Sequence, residues 1–208
     1  MFSIIQAAGW PIWPLIACSV LALALVIERF VSLKTSRVAP PKLLDEVMLL
    51  TRSLVPGHEV IARLAANSAL GEVLASGLRT LNMQPHCSED DLRASMEQTG
   101  RLVAHRLERY LGALATIASA APLMGLFGTV VGMIEIFGSQ TPTGATGGNP
   151  AQLAHGISVA LYNTAFGLIV AIPSLIFWRY FRARVDAYLL TLELAAERLA
   201  RHLNKLRQ

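Results

Sequence analysis

The chain has 208 residues, of which 53% are hydrophobic and 15% charged, and its formal net charge is +4. This composition is too apolar for an ordinary soluble protein and predicts insertion into a membrane. The basic residues are interleaved with acidic ones along predicted helices, which argues against a nucleic-acid-binding protein. Walker-loop, His-Glu-x-x-His, Cys-x-x-Cys and Gly-x-Ser-x-Gly motifs do not occur in the sequence. We therefore expect no enzyme activity and no bound metal or cofactor.

Three stretches are long and apolar enough to cross a bilayer as helices. A hydrocarbon core about 30 Å thick needs roughly 20 helical residues at about 1.5 Å each, and residues 12–33 meet that length. A longer apolar block follows Arg109, but a Gly-, Thr- and Pro-rich run divides it into a hairpin of two spans. The predicted segments are a periplasmic N-terminus with the first span at 1–33, a cytoplasmic helical region at 34–111, the second span at 112–138, a periplasmic loop at 139–154, the third span at 155–178 and a cytoplasmic C-terminal helix at 179–208.

The distribution of basic residues predicts the orientation of these spans. Cytoplasmic segments of membrane proteins are enriched in Lys and Arg, and all 18 such residues lie within 29–109 or 179–207. We therefore expect the N-terminus outside and the C-terminus in the cytoplasm. The first span lacks the basic start and small-residue cleavage site of a signal peptide, so we expect it to remain in the membrane.

The polar segments also show helical patterns, which makes the predicted fold an all-α integral membrane protein with long cytoplasmic helical extensions. Ser88 precedes three acidic residues, as is typical of a helix N-cap. No proline follows before Pro122, so this helix is predicted to continue into the second span. After the third span, apolar residues recur with the 4-3 spacing of a coiled coil. This seam can pack against the helix at 88–110 or against another subunit. Its members are Val185, Leu189, Leu192, Ala196, Leu199, Leu203 and Leu206.

Small and hydroxyl residues are concentrated in the two spans of the hairpin. Such residues can let helices pack closely, or they can leave a narrow polar path for water and protons. Pro122 and Pro173 each remove one backbone hydrogen bond, so they are candidate kinks or flexible points. The candidate packing residues are Gly125, Gly128 and Gly132 in the second span and Ala160 and Gly167 in the third.

Three parts of the sequence carry a recognisable pattern. Residues 121–132 read Ala-Pro-Leu-Met-Gly-Leu-Phe-Gly-Thr-Val-Val-Gly, and Glu28-Arg29 stands near the end of the first span. The third part, residues 156–173, contains Ala-Leu, Thr-Ala, Gly-Leu and Ala-Ile-Pro at matching intervals. Together they resemble the signatures of the ExbB/TolQ/MotA proton channel family, and the chain is most similar to its ExbB members.

The resemblance implies a homopentameric ring in the bacterial inner membrane, with the second and third spans lining a central pore. The implied partners are a single-span ExbD-like protein within the pore, a TonB-like energy transducer and membrane lipid. The implied function is a proton-conducting stator that energises TonB-dependent outer-membrane transport. A TolQ-like envelope-integrity motor and a non-conducting scaffold are the alternatives. Thr129 and Thr164 match pore-lining threonines of the family, and we place Asn163 with them on the expected proton pathway.

The chain departs from the family pattern at one acidic position. Many ExbB-like proteins carry a glutamate five residues before the third-span threonine, where this chain has Val159. Glu135 lies six residues past Thr129 on the antiparallel span. If the two threonines are level, Glu135 and Val159 both lie roughly 7–9 Å outward of them at about 1.5 Å per residue. Glu135 can then supply the acid at that depth, or it can reach the outer headgroups as an interfacial residue.

Overall fold

A computed structural model of the protein describes residues 9–52, 56–138 and 150–205, and every regular element in these ranges is an α-helix. The all-helical architecture agrees with the class predicted from the sequence. In chain order the helices are α1 (Ile12–Ser32), α2 (Thr35–Val38), α3 (Leu43–Leu50), α4 (His58–Asn67), α5 (Ala69–Met83), α6 (Glu89–Glu108), α7 (Leu111–Gly138) and α8 (Pro150–Lys205).

Three helical stretches are long and apolar enough to cross a membrane. They lie in α1, in Glu89–Gly138 and in Gly156–Lys205. At most 28% of each apolar window is buried inside the protein, so most of this surface faces outward, as contact with lipid requires. The predicted spans therefore coincide with helices. α8 begins earlier than predicted, at Pro150, where the missing proline N–H removes no helical hydrogen bond. Residues 139–149 of the predicted loop lie outside the described ranges.

The described residues form two compact units. The apolar unit contains α1 up to Glu28, together with the hairpin from Tyr110 to Tyr180. The charged unit contains Arg29–Arg109 and α8 from Phe181 onward. The predicted second and third spans and most of the first thus fall in the first unit, and nearly all of the predicted cytoplasmic residues fall in the second.

The core of the apolar unit joins all three spans. Leu15 of α1 is 1% exposed and packs with Ala121 of α7 and with Val170 and Ala171 of α8. In a lipid environment the hydrophobic effect gives little drive for helices to associate, so the contact depends on close van der Waals packing. The small side chains of the two alanines allow that close approach.

The start of α6 has the predicted cap. The Ser88 hydroxyl accepts a hydrogen bond from the Asp91 N–H at 3.1 Å, and the Asp91 carboxylate accepts one from the Ser88 N–H at 2.8 Å. This reciprocal arrangement is a capping box. The hydrogen bonds from Ser88 hold the pKa of the Asp91 carboxyl below its ordinary value of 3.8, so the residue stays negative beside the positive end of the helix dipole.

Ion pairs join α6 to the second half of α8 within the charged unit. Arg93 donates to both carboxylate oxygens of Glu197 at 2.9 Å. Farther along α6, Glu108 pairs with Arg182 at 3.0 Å. The helices therefore run antiparallel, and of the two alternatives left open for the seam of α8 the structure shows the first, pairing with α6 of the same chain.

The buried seam of α8 differs from the predicted one at two positions. Leu189 and Ala196 are only half-buried, whereas the preceding residues Tyr188 and Ala195 are 7% and 4% exposed. Both choices repeat every seven residues, so periodicity alone does not distinguish them. Leu206, the last predicted member, lies outside the described ranges. The observed seam consists of Phe181, Val185, Tyr188, Leu192, Ala195, Leu199 and Leu203.

The prediction that α6 continues without a break into the second span is wrong. α6 ends at Glu108, Arg109 has the extended values φ −49° and ψ 137°, and Tyr110 has φ 70°. A positive φ is disfavoured for a residue with a side chain. Neither Gly nor Pro lies between residues 101 and 111, so the local sequence gives no signal for this break.

Candidate functional site

α7 and α8 approach each other most closely where glycines meet the opposing backbone. A Cβ atom on Gly125 would lie 2.7 Å from the Asn163 carbonyl oxygen and 3.0 Å from the Thr164 Cα. A Cβ on Gly167 would lie 2.6 Å from the Ala121 carbonyl oxygen. Any side chain at either glycine would force the helices apart, so this part of the hairpin requires glycine.

The same face of α7 continues to contact α8 through small residues. A Cβ on Gly128 would lie 2.7 Å from the Asn163 Cβ, and one on Gly132 would lie 3.1 Å from the Ala160 Cβ. Asn163 is 2% exposed, so its side chain lies within the hairpin beneath Gly128. The structure thus brings Gly125, Gly128 and Gly132 together with the small residues of α8, and it places Asn163 in this interface.

Thr129 lies on a more open face of α7. Its side chain is half-buried, and its hydroxyl donates a hydrogen bond of 2.7 Å to the Leu126 carbonyl. A shallow groove of about 520 Å³ adjoins it. The hydroxyl is therefore a single polar group beside an apolar surface. The residues that line the groove are Thr129, Val130, Met133, Ile134, Phe137 and Gly138.

The two threonines of the expected proton pathway are not level. Gly125 lies opposite Thr164, and Gly132 lies opposite Ala160. Thr129 is four residues past Gly125 but only one past Gly128, which lies opposite Asn163, so Thr129 lies roughly 3–6 Å nearer the C-terminal end of α7 than Thr164. Thr164 is half-buried. The pair therefore occupies two depths of the hairpin.

This offset changes the comparison of Glu135 with Val159. Val159 precedes Ala160, which lies opposite Gly132, whereas Glu135 is three residues past Gly132 and exposed. Because Val159 is itself one residue outward of Ala160, Glu135 lies two residues, roughly 3 Å, beyond the level of Val159. Glu135 and Val159 would share a depth only if the two threonines were level, and they are not.

Both prolines lie inside helices that continue past them. Pro122 is half-buried in α7, and Pro173 is exposed in α8. A proline in a helix removes one backbone donor. Beside Pro173, the buried Ser174 hydroxyl donates to the Val170 carbonyl at 2.7 Å. Neither proline ends its span.

Sequence reasoning missed two contacts, one in each unit. A Cβ on Gly156 would lie 2.6 Å from the Ile136 Cδ1, which extends the close hairpin contact beyond the predicted small residues. In the charged unit, Arg29 is 3% exposed and donates to the Leu107 carbonyl at 2.9 Å. The sequence did mark Arg29, because Glu28-Arg29 belongs to the recognised pattern. It did not indicate that Arg29 bonds to the Leu107 carbonyl.

Comparison of the sequence with known proteins finds a matching family and several relatives. The sequence profile of the MotA/TolQ/ExbB proton channel family matches residues 65–194, which include α6, α7 and most of α8. The ExbB-like 3 biopolymer transport protein of Synechocystis sp. is 32% identical over 182 residues, covering 86% of this chain and 83% of that protein. The match therefore extends over nearly the whole chain.

Two further relatives carry the names of two branches of this family. The biopolymer transport protein ExbB of Salmonella typhimurium is 32% identical over 148 residues, which cover 68% of this chain and 59% of that protein. The Tol-Pal system protein TolQ of Pseudomonas aeruginosa is 35% identical over 128 residues, covering 58% of this chain and 54% of that protein. With its three apolar helices, the chain is a membrane protein. It belongs to the MotA/TolQ/ExbB proton channel family.

Proposed function

We propose that the protein is a proton-conducting stator subunit of an ExbB-ExbD-like complex, which uses the proton motive force to energise TonB-dependent outer-membrane transport. Its family and its ExbB-named relatives support this role. The observation that carries the proposal is the position of Thr129. Its hydroxyl adjoins an apolar groove on α7, while the glycines of the same helix pack against α8.

In this proposal five copies form a ring in the inner membrane, with each N-terminus in the periplasm and each C-terminus in the cytoplasm. A single-span ExbD-like partner occupies the centre of the ring, and an aspartate of the partner carries the proton. The groove beside Thr129 is apolar and shallow enough to contact one face of such a helix. A TonB-like transducer receives the resulting movement, and membrane lipid surrounds the ring.

The proposed proton pathway uses hydroxyls at two depths. A threonine hydroxyl can both donate and accept a hydrogen bond, so Thr129 and Thr164 can solvate a proton at points roughly 3–6 Å apart along the hairpin. Asn163 adds a buried amide between α7 and α8. Glu135, roughly 3 Å beyond the level of Val159, supplies an acidic group at the end of this pathway.

Replacing Thr129 and Thr164 together by Val tests the pathway, because Val has nearly the same shape but lacks the hydroxyl. The matched control is Thr116→Val, since Thr116 also lies on α7 and its hydroxyl also donates to a backbone carbonyl, at 2.9 Å. The measurement is uptake through an outer-membrane receptor that depends on the proton motive force, together with ring assembly by native mass spectrometry.

We expect the double variant to assemble and to lose uptake, while Thr116→Val retains both. Normal uptake by an assembled double variant would contradict the hydroxyl pathway and favour a packing role for both threonines. An assembled ring that conducts no protons even with native threonines would instead support a non-conducting scaffold.

The TolQ relative, at 35% identity, supports a second output for the same mechanism. A TolQ-like motor would maintain envelope integrity rather than drive uptake. Deleting the gene and measuring both phenotypes separates the two: loss of receptor-dependent uptake supports the first output, and detergent sensitivity with normal uptake supports the second.

A further inference from the structure

Tyr188, in the part of α8 that belongs to the charged unit, has a fully bonded hydroxyl. The side chain is 7% exposed, and its O–H donates a hydrogen bond of 2.9 Å to the Leu33 carbonyl oxygen. Because that bond uses its single proton, the Tyr188 oxygen accepts the other two bonds, each of 3.0 Å, from the Thr35 hydroxyl and from Arg184 Nη2. The phenol therefore fixes an arginine and a hydroxyl at one point of the charged unit.

Arg184 is an exposed cation that is held in place. Besides the hydrogen bond to Tyr188, its Cζ lies 5.3 Å from the centre of the Tyr188 ring, which is a cation–π contact. Both contacts restrain a long side chain whose ordering otherwise costs rotamer entropy. A guanidinium has five N–H donors and Tyr188 accepts from one nitrogen, so several N–H groups of Arg184 are left for another acceptor.

No carboxylate among the described residues pairs with this guanidinium. The acid nearest to it in sequence, Asp186, pairs with Arg182 at 3.2 Å, and Arg182 also pairs with Glu108 at 3.0 Å. Lys34 lies between the two residues that bond to Tyr188, and within the described ranges it forms no ion pair either. An ordered arginine without a counter-charge can bind an anion, and its planar fork of donors suits a phosphate group.

These residues lie where the first apolar helix ends. Leu33 directly follows α1, which is long and apolar enough to cross a bilayer. Arg184 precedes Tyr188 by four residues, so it is about one turn nearer the third span along α8. Lipid headgroups occupy the zone just outside the hydrocarbon core, and arginine side chains near helix ends extend into that zone. Lipid phosphates are therefore within reach of Arg184.

We propose that Arg184, positioned by Tyr188 and assisted by Lys34, binds one phosphate group at the membrane surface. The guanidinium can donate two parallel hydrogen bonds to the phosphate oxygens, and Lys34 adds a second positive charge. The ligand is a negatively charged phosphate, either the diester of a lipid headgroup or free inorganic phosphate. The site lies within the charged unit and does not depend on the proposed proton pathway.

Titrating the full-length protein in detergent with phosphatidylglycerol, and counting bound lipid by native mass spectrometry, measures the binding. Arg184→Gln removes the charged donors, and we expect the affinity to fall by about tenfold or more. Arg184→Lys keeps the charge but not the planar fork, so a smaller loss of about threefold is expected. The matched control is Arg198→Gln, since Arg198 is exposed on the same helix and forms no ion pair among the described residues. It should bind like the native protein.

Tyr188→Phe tests the positioning role, because it keeps the ring and removes only the hydroxyl. We expect it to weaken binding by about threefold in the native background and to have no further effect in Arg184→Gln, since the hydroxyl acts through the guanidinium. If Tyr188→Phe weakened binding equally in both backgrounds, its effect would be general to the fold and the positioning role would be overturned.

Inorganic phosphate distinguishes the two sources of the phosphate group. Binding of phosphatidylglycerol that depends on Arg184, with no thermal stabilisation by inorganic phosphate, would support a lipid headgroup as the ligand. Stabilisation of the native protein by inorganic phosphate, absent in Arg184→Gln, would support free phosphate. If native protein and Arg184→Gln had equal affinity for the lipid and responded equally to inorganic phosphate, the proposal would be overturned.

Discussion

The Cα atom of Thr164 lies 3.0 Å from the position that a Cβ on Gly125 would occupy. Since backbone cannot move aside as a flexible side chain can, Gly125→Ala is expected to separate α7 from α8 locally and to destabilise the hairpin by about 1–3 kcal/mol. Denaturant titration of the protein in detergent micelles measures this change.

Gly112→Ala is the matched control, because Gly112 lies on the same helix and a Cβ there meets no atom within 4 Å. Removing a glycine from a helix without creating a clash is neutral or stabilising by up to about 1 kcal/mol. If the two variants lost the same stability, the close contact at Gly125 would not be the cause.

The capping box of α6 provides a local stability test. Ser88→Ala removes the hydroxyl that accepts the Asp91 N–H, and loss of such a cap costs about 0.5–2 kcal/mol. We expect hydrogen exchange to accelerate in the first turn of α6. Ser88→Thr keeps a capping hydroxyl and should exchange at close to the native rate; acceleration in both variants would point to packing rather than the cap.

The charge of the Glu197 carboxylate should make the stability of the pairing between α6 and α8 depend on pH. Hydrogen bonds from Arg201 and then Arg93 hold the pKa of its carboxylate below the ordinary value of 4.5. A lower pKa in the folded state means that the carboxylate stabilises the fold above the unfolded pKa, and that this contribution is lost as the pH falls through the folded pKa. Glu197→Gln should therefore be less thermostable than the native protein at pH 7.

The difference between Glu197→Gln and the native protein should shrink as the pH falls below about 4.5. Thermal unfolding followed by circular dichroism in micelles at pH 7, 5, 4 and 3 measures it. Glu193→Gln removes an exposed carboxylate of the same helix and serves as the control. If Glu197→Gln were less thermostable than the native protein by the same amount down to pH 3, the charge of the Glu197 carboxylate would be ruled out as the source of stability.

Apolar length predicted the spans well because a backbone in lipid must satisfy its hydrogen bonds internally, which leaves a helix as the simplest outcome. α1 covers Ile12–Ser32 against a predicted 12–33. The break at Tyr110 was not predicted, since residues 101–111 contain neither Gly nor Pro and local propensity favours a helix there.

The candidate site, too, could be predicted only in part from the sequence. The glycine-rich motif predicted close helix packing, but it did not predict which glycines face α8, because α7 is apolar or small on nearly every side. The relative depth of Thr129 and Thr164 was also not predictable. Depth depends on how far α7 slides along α8, and that register follows from contacts such as Gly132 against Ala160 rather than from the spacing within either helix.

Glu135 tests whether an acid is needed at the end of the proposed pathway. Because intramembrane acids are usually functional, we expect Glu135→Gln to reduce uptake about tenfold or more, while Glu135→Asp retains most of it. Glu135 is exposed and lies roughly 3 Å beyond the level of Val159, so Val159→Glu in the Glu135→Gln background asks whether the acid must lie on α7. Restored uptake would mean that an acid near this depth on either helix suffices, and continued loss would mean that the position of Glu135 is specific. Native uptake in Glu135→Gln itself would show that the residue is an interfacial glutamate without a part in conduction, since removing its charge would then leave the proton path intact.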